Sequence, residues 1–287
     1  MLFGSVFLHA VASAEPDCDC DKPFVMSNRP IQEKLDALIF SEKTKKRKAS
    51  DLITVSNVRR LQQPTSLVLV DVRRDEAYQT LHIPGSINIR QTSIKTKTFL
   101  KFRQVVLVDQ GPQYSGLARL ADQLRKAGFQ HVSILDGGLS AWAQAKAPLV
   151  GDAFVKLSLN RITPEQYFAE RHYEHWLVIK ISESPSERKF FPGAAYVPYR
   201  KNTNAFLKSI KTSIETHSTN NEARYVLLVD KTGKLSLNQV NAINTLHRGQ
   251  TFILQGGEQA YADYLRQQLA VFNSNLRLAQ GPKRKCR

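Results

Sequence analysis

Residues 105–142 read VVLVDQGPQYSGLARLADQLRKAGFQHVSILDGGLSAW. Val105 to Val108 is a run of four apolar residues, the pattern of a strand buried on both faces. A tight loop follows from Asp109 to Tyr114. Leu117, Leu120, Ala121 and Leu124 then mark one face of a helix, and Gly128 stands where that helix stops. A second strand, Val132 to Leu135, leads into Gly137-Gly138. Asp109 occupies the strand-to-helix junction, and its role there decides how the chain is read.

The elements around this stretch follow the same alternation. Thr54 to Leu61 predicts a short helix, and Leu67 to Val72 a strand covered on both faces. Arg73 to Tyr78 predicts a helical turn. His82 to Ile89 predicts a turn, punctuated by Pro84-Gly85, and another short strand. Ala145 to Asp152 reads as a linker. Strands alternating with helices imply right-handed crossovers and a parallel sheet.

The second half repeats the plan. Leu177–Ile181 matches Leu69–Arg73, and Phe190–Pro198 matches His82–Arg90 with Pro192-Gly193 on Pro84-Gly85. Tyr225–Asp230 matches Gln104–Asp109, and Ile253–Tyr261 matches Ile134–Trp142. Four blocks in one order make this a duplicated α/β protein. The expectation is two domains, residues 51–147 and 158–270, each a small parallel sheet flanked by helices. A length of 287 residues and a hydrophobic fraction of 42% suit two packed cores.

Residues outside the repeats differ in character. Residues 1–14 read as a signal peptide: an apolar stretch ending in Ala12-Ser13-Ala14, with Glu15 as the mature start. It is too short to span a bilayer, which takes roughly 20 apolar residues, so an exported protein without a transmembrane helix is expected. Residues 15–50 form a Cys-containing and basic linker segment, with an amphipathic helix expected over residues 31–40. Residues 271–287 form a basic tail. The net charge is +16, but nine basic residues lie in two runs, residues 43–48 and 283–287; without them the surplus is +7. No aromatic residue interleaves with either run, so nucleic-acid binding is not expected.

The three cysteines, Cys18, Cys20 and Cys286, all lie outside the repeats. Acidic neighbours around Cys18 and Cys20 raise thiol pKa values and argue against nucleophiles. Two thiolates fall short of the four ligands of a zinc site. A disulfide or redox pair, in cis or with a partner, is the expected role. His172 and His175 have a spacing that could suit a metal, but a solvated pair is expected, and neither a metal nor a cofactor is anticipated.

Each half resembles a rhodanese-like domain. Asp71-Val-Arg73, His82-Ile-Pro-Gly-Ser86 and Leu135-Asp-Gly-Gly-Leu-Ser-Ala-Trp142 match that family's three non-catalytic signatures, and the second half matches more loosely. The resemblance implies a small parallel sheet flanked by helices, often in tandem. It also implies a cysteine directly after the central strand, which carries sulfur as a persulfide in a loop whose backbone N–H groups stabilise the anion.

At the cysteine position this sequence has Asp109, followed by Gln110, Gly111, Pro112, Gln113, Tyr114 and Ser115. In the second copy it has Asp230, followed by Lys231, Thr232, Gly233, Lys234, Leu235 and Ser236. An aspartate cannot form a persulfide, so no catalytic residue is expected in either loop. Aspartyl phosphate chemistry would need further carboxylates for Mg²⁺. Only Asp71 is in place for this in the first half, and its counterpart in the second is Lys180. The expected role of each aspartate is structural: a carboxylate at a helix N-cap fills the anion cradle with the protein's own charge. His82 is expected to bond the turn, Asp71 and Arg73 to pair, and Trp142 and Tyr261 to pack on the sheets.

The resulting expectation is an exported or periplasmic, catalytically inactive tandem protein that binds or assembles with an envelope protein the sequence does not name. The alternative is a thiosulfate-type sulfurtransferase or thiol-handling enzyme using Cys18, Cys20 or Cys286. A third class is an adaptor for nucleic acid or a membrane surface acting through residues 43–48.

Overall fold

The computed structural model describes residues 49–61, 67–173, 176–182, 190–217, 225–247 and 249–279, without the side chains of residues 49, 237 and 272–279. The expected signal peptide, the expected helix over residues 31–40, both basic runs, His175 and all three cysteines lie outside the described residues.

The first half runs β1 (Leu52–Ile53), α1 (Val55–Leu61), β2 (Leu67–Asp71), α2 (Asp75–Thr80), β3 (Leu81–His82), β4 (Ile87–Asn88), β5 (Gln104–Val108), α3 (Tyr114–Lys126), β6 (His131–Leu135), α4 (Gly138–Gln144) and β7 (Val150–Gly151). The second runs α5 (Ala153–Ser158), β8 (Arg161–Ile162), α6 (Pro164–Glu170), β9 (Trp176–Ser182), β10 (Ala195–Pro198), α7 (Thr203–His217), β11 (Tyr225–Val229), α8 (Leu237–Asn244), β12 (Gln250–Leu254) and α9 (Gly257–Ala279).

Each half forms one five-stranded parallel sheet. The orders are β1-β6-β5-β2-β4 and β8-β12-β11-β9-β10, which correspond strand for strand. Registers correspond too: Asp71 pairs with Val108 as Lys180 pairs with Val229.

The apolar runs explain the layering. Side chains alternate across a strand, so β5 feeds two cores. Val106 and Val108 face Val55, Val58, Leu139 and Trp142 on α1 and α4, while Val105 and Leu107 face Leu117, Leu120, Ala121 and Leu124 on α3. β11 does the same, with Tyr225, Leu227 and Val229 on one face and Val226 and Leu228 on the other. Every β5 residue from Val105 to Val108 is fully buried. Each such side chain contributes roughly 1.5–3 kcal/mol of burial.

One expected linker is partly structured. Within residues 145–152, Val150–Gly151 forms β7 and pairs antiparallel with β3. Gly151 permits this: a Cβ there would stand 2.1 Å from the Thr80 carbonyl oxygen. Among the described residues, no helix is long and apolar enough to cross a membrane.

Candidate functional site

The loops after β5 and β11 are built on the same glycine. The Asp109 carbonyl accepts the Leu139 N–H at 2.9 Å, and the Asp230 carbonyl accepts the Glu258 N–H at 2.9 Å. A Cβ on Gly138 or Gly257 would approach those two carbonyl oxygens to 2.3 Å, and both glycines have positive φ. The Gly-Gly pairs are therefore required by backbone approach as well as by conformation.

The loop contents then diverge. In the second copy Asp230 fills its own cradle: its carboxylate accepts the Gly233 N–H at 2.6 Å and the Lys234 N–H at 3.0 Å. The position three residues after Asp109 is Pro112, which has no N–H to offer. Asp109 accepts from Gln110 N–H at 2.6 Å instead. It is also not the helix cap; Gln113 precedes α3 and caps nothing with its side chain. Neither aspartate is the helix N-cap expected of it, since Ser236 caps α8; Asp230 alone accepts N–H bonds from further along its loop. Burial pushes the Asp109 carboxyl above its ordinary value, and the nearby Asp71 adds to this; the Gln110 N–H and Arg73 oppose it.

The first loop is completed from outside. Glu170, at the end of α6 and buried, accepts the Ser115 N–H at 2.7 Å. The remaining loop groups are engaged locally. Gln113 N–H donates to Gly111 O at 2.8 Å. The Gln110 carbonyl accepts from the Ser140 N–H and hydroxyl, each at 3.0 Å. The Tyr114 hydroxyl donates to Asp51 at 3.0 Å. Gly111 and Pro112 are buried.

The second half covers this edge of the first sheet. The Tyr225 hydroxyl, at the start of β11, donates to Asp136, and the Ser140 hydroxyl to the Leu159 carbonyl. Gln250, at the start of β12, lies against Gly137. A small cleft lined by Leu52, Pro112, Tyr114, Ile134 and Gly137 has room for about one water molecule.

The second loop is open by comparison. Lys231, Thr232, Lys234 and Ser236 are exposed, and Gly233 and Leu235 are buried. Arg161 holds the loop from β8 by donating to the Gly233 carbonyl at 2.7 Å and the Leu235 carbonyl at 3.3 Å. Ser236 forms a capping box with Gln239: each backbone N–H meets the other's side-chain oxygen, at 3.0 and 3.3 Å.

Charge under the two loops is arranged oppositely. Arg73 grips Asp71 with two parallel bonds, Nε to Oδ1 at 2.9 Å and an NH2 to Oδ2 at 2.7 Å, and both residues are buried. That pairing commits Asp71 to Arg73. At the equivalent register Lys180 pairs with Glu258 at 2.8 Å, also out of solvent. Among the described residues, no three His, Cys, Asp or Glu side chains cluster as a metal site. His82 Nδ1 meets the Tyr78 carbonyl at 2.8 Å and its ring stacks on Tyr78. Trp142 packs in the first core and donates to the Pro148 carbonyl at 2.8 Å; Tyr261 is buried in the second.

Sequence reading did not find Glu170, Arg161, Tyr225 or Glu258. The Ser236–Gln239 capping box was readable as a short-range pattern. Glu170 and Ser115 are 55 residues apart, and no local pattern links them.

Comparison with known proteins gives a consistent picture. The sequence model of the family described as "Rhodanese-like domain" matches residues 54–145. The chain is 34% identical over 105 residues to "Uncharacterized protein YibN" of Escherichia coli K12, covering 34% of this chain and 71% of that protein. It is 30% identical over 96 residues to "Thiosulfate sulfurtransferase GlpE" of Pseudoalteromonas translucida, covering 32% and 89%. The crystal structure of a thiosulfate sulfurtransferase from Pseudomonas aeruginosa aligns with 74% of this chain and 42% of its own, at 19% identity and a TM-score of 0.31. The rhodanese-like domain of an Anabaena protein aligns with 36% and 80%, at 26% identity and a TM-score of 0.32.

Proposed function

The chain belongs to the rhodanese-like domain family, and from that premise we propose that it is an exported, periplasmic, catalytically inactive tandem member that binds or assembles with an envelope protein. Sulfur transfer by the family's route needs a thiolate that takes a sulfur atom from the donor and holds it as a persulfide. A carboxylate at Asp109 or Asp230 has no sulfur with which to form that bond.

The observation that carries the proposal is the state of the N–H groups that would stabilise a loop anion. Gly233 and Lys234 donate to Asp230, and Ser115 donates to Glu170. In each loop, N–H groups at these positions donate to the protein's own carboxylates. The first is also covered by the second half, so the exposed loop, Lys231 to Ser236, is the one available to a partner.

The relative named thiosulfate sulfurtransferase points to the opposing reading, and one assay separates the two. The full chain, given thiosulfate and cyanide, is expected to form no thiocyanate above background. Activity that disappears on changing Cys18, Cys20 or Cys286 to Ser would overturn the proposal. The binding role is tested by a photo-crosslinker at Thr232 in the presence of envelope fraction. It should give one saturable adduct that excess unlabelled protein competes away. An adduct that excess protein does not compete would remove the support for this loop as the docking surface.

A further inference from the structure

We propose that the two short turns Ile94–Thr96 and Thr98–Leu100, with the residues that follow them, form a contact surface for anionic phospholipid. The turns are firmly anchored. Ile94 and Leu100 are fully buried in the core beneath α3. The Lys101 carbonyl accepts the Gln130 N–H at 2.9 Å, and the Arg103 N–H donates to the Leu100 carbonyl at 3.1 Å.

On this fixed base two phenylalanine rings stand in solvent: Phe99 is 62% exposed and Phe102 is 75% exposed. Thr98–Leu100 is a 3₁₀ turn and Lys101 continues with helical backbone angles, so residues three apart fall on one side. Phenylalanine has no polar tip to justify exposure to water. Two such rings side by side on an anchored turn mark a surface that meets something apolar.

The charge around them selects the partner. From Ala77 to Val108 there is no acidic residue, while Lys95, Lys97, Lys101 and Arg103 are basic; Arg90, which lies 3.8 Å from Asp75, is not part of this set. Lys95, Lys97 and Arg103 are exposed, and so is Lys126 at the end of α3. Aromatic rings that enter the headgroup boundary, flanked by cations that meet lipid phosphates, are the chemistry of an interfacial membrane contact. A single-stranded nucleic acid would instead call for a basic groove lined with rings, and rings this exposed project from the surface.

The location fits as well. The patch precedes β5 at Gln104, whereas Asp109 follows β5 at the opposite, C-terminal end of that strand. Membrane contact would leave both loops undisturbed, so this inference stands whether or not the loops are inactive.

Sedimentation of the full chain with vesicles tests it. The wild-type chain should bind vesicles containing phosphatidylglycerol, bind pure phosphatidylcholine vesicles far less, and lose binding as salt rises. The double change Phe99→Ser and Phe102→Ser should weaken binding about tenfold or more. The triple change Lys95→Glu, Lys97→Glu and Arg103→Glu should weaken it by a similar factor or more, down to what the two basic runs alone support. All these side chains are solvent-exposed, so the variants should keep wild-type circular dichroism. The basic runs at 43–48 and 283–287 are common to every variant, so the difference reports this patch. A Phe102→Trp variant should be quenched by brominated lipid, which attraction through the tails alone would not produce. No binding by the wild-type chain, or binding unchanged in both multiple variants, overturns the proposal. So does binding to a uridine-rich RNA that the same changes abolish while vesicles are ignored.

Discussion

The carboxylate of Glu170, at the C-terminal end of α6, accepts the backbone N–H of Ser115, in the first turn of α3, at 2.7 Å. A helix N-terminus has N–H groups without intrahelical partners and carries partial positive charge. The first half thus has its open helix end closed by a carboxylate from the second. In the second half the equivalent N–H groups are closed by Asp230 from the loop and by Gln239 from the first turn of α8.

Removing that carboxylate should weaken the whole chain. Glu170→Ala leaves the part-buried Ser115 N–H without this acceptor and should cost about 1–2 kcal/mol in urea denaturation. Glu170→Gln keeps an acceptor oxygen and should cost less. Amide exchange at Ser115 should accelerate in the alanine variant; unchanged stability together with unchanged exchange would show the contact to be idle.

The two loop aspartates should respond in opposite ways. Asp230→Ala removes the acceptor of two backbone N–H groups and should cost about 1–2 kcal/mol. Asp109→Asn keeps an acceptor for the Gln110 N–H and removes a charge that burial and Asp71 disfavour. The folded-state pKa of Asp109 lies above its ordinary value. The stability contributed by its protonated form is therefore lost as pH rises from the ordinary aspartate value through that pKa, and the loss levels off above it. The Asn variant should show a higher urea midpoint at pH 7, with the gap closing as pH falls toward 4. A lower midpoint at pH 7 would contradict this account.

His247 supplies a second pH dependence. Its Nδ1 accepts the Gly249 N–H at 3.0 Å, which leaves Nε2 to donate to Thr251 Oγ1 at 2.9 Å in the neutral ring. Burial pushes its pKa down to about 4. An unfolded histidine, with a pKa of about 6.5, takes up a proton first as pH falls. Stability should therefore decline between about pH 6.5 and about pH 4, by on the order of 1–3 kcal/mol in total, and level off below. Denaturant titrations across that range should show the slope in the wild-type chain and a flatter one in His247→Gln.

The Lys180–Glu258 pair, with Lys180 buried and Glu258 half-buried, predicts asymmetry between single and double changes. Glu258→Gln removes the carboxylate charge facing the buried Lys180 ammonium and should lower stability. Lys180→Met combined with Glu258→Leu removes both charges and should cost much less than the single change. A double-mutant cycle by urea denaturation measures both.

The sequence was most legible where physics is local. The run Val105–Val108 declares a strand buried on both faces, and the spacing of Leu117, Leu120, Ala121 and Leu124 declares the helix behind it. Gly137-Gly138 and Gly256-Gly257 mark tight approaches because positive φ and missing Cβ atoms leave few alternatives. The repeat from Leu69 to Trp142 and from Leu177 to Tyr261 predicted two matching sheets, and the strand orders agree. The segment 145–152 carries no local strand pattern, because β7 exists only through its pairing with the distant β3.

By itself, then, the sequence determined two parallel sheets and the aspartates after their central strands. Those features follow from periodicity, backbone propensity and residue identity, all readable within a few residues. The tertiary structure decided how each loop is closed: Asp230 closes its own because Gly233 has an N–H to give, while Pro112 denies one to Asp109 and Glu170 arrives from another element. It also decided that Phe99 and Phe102 stand in water while Leu100 between them is buried. Contacts between residues far apart in the chain depend on packing geometry, and packing geometry leaves no local pattern to read.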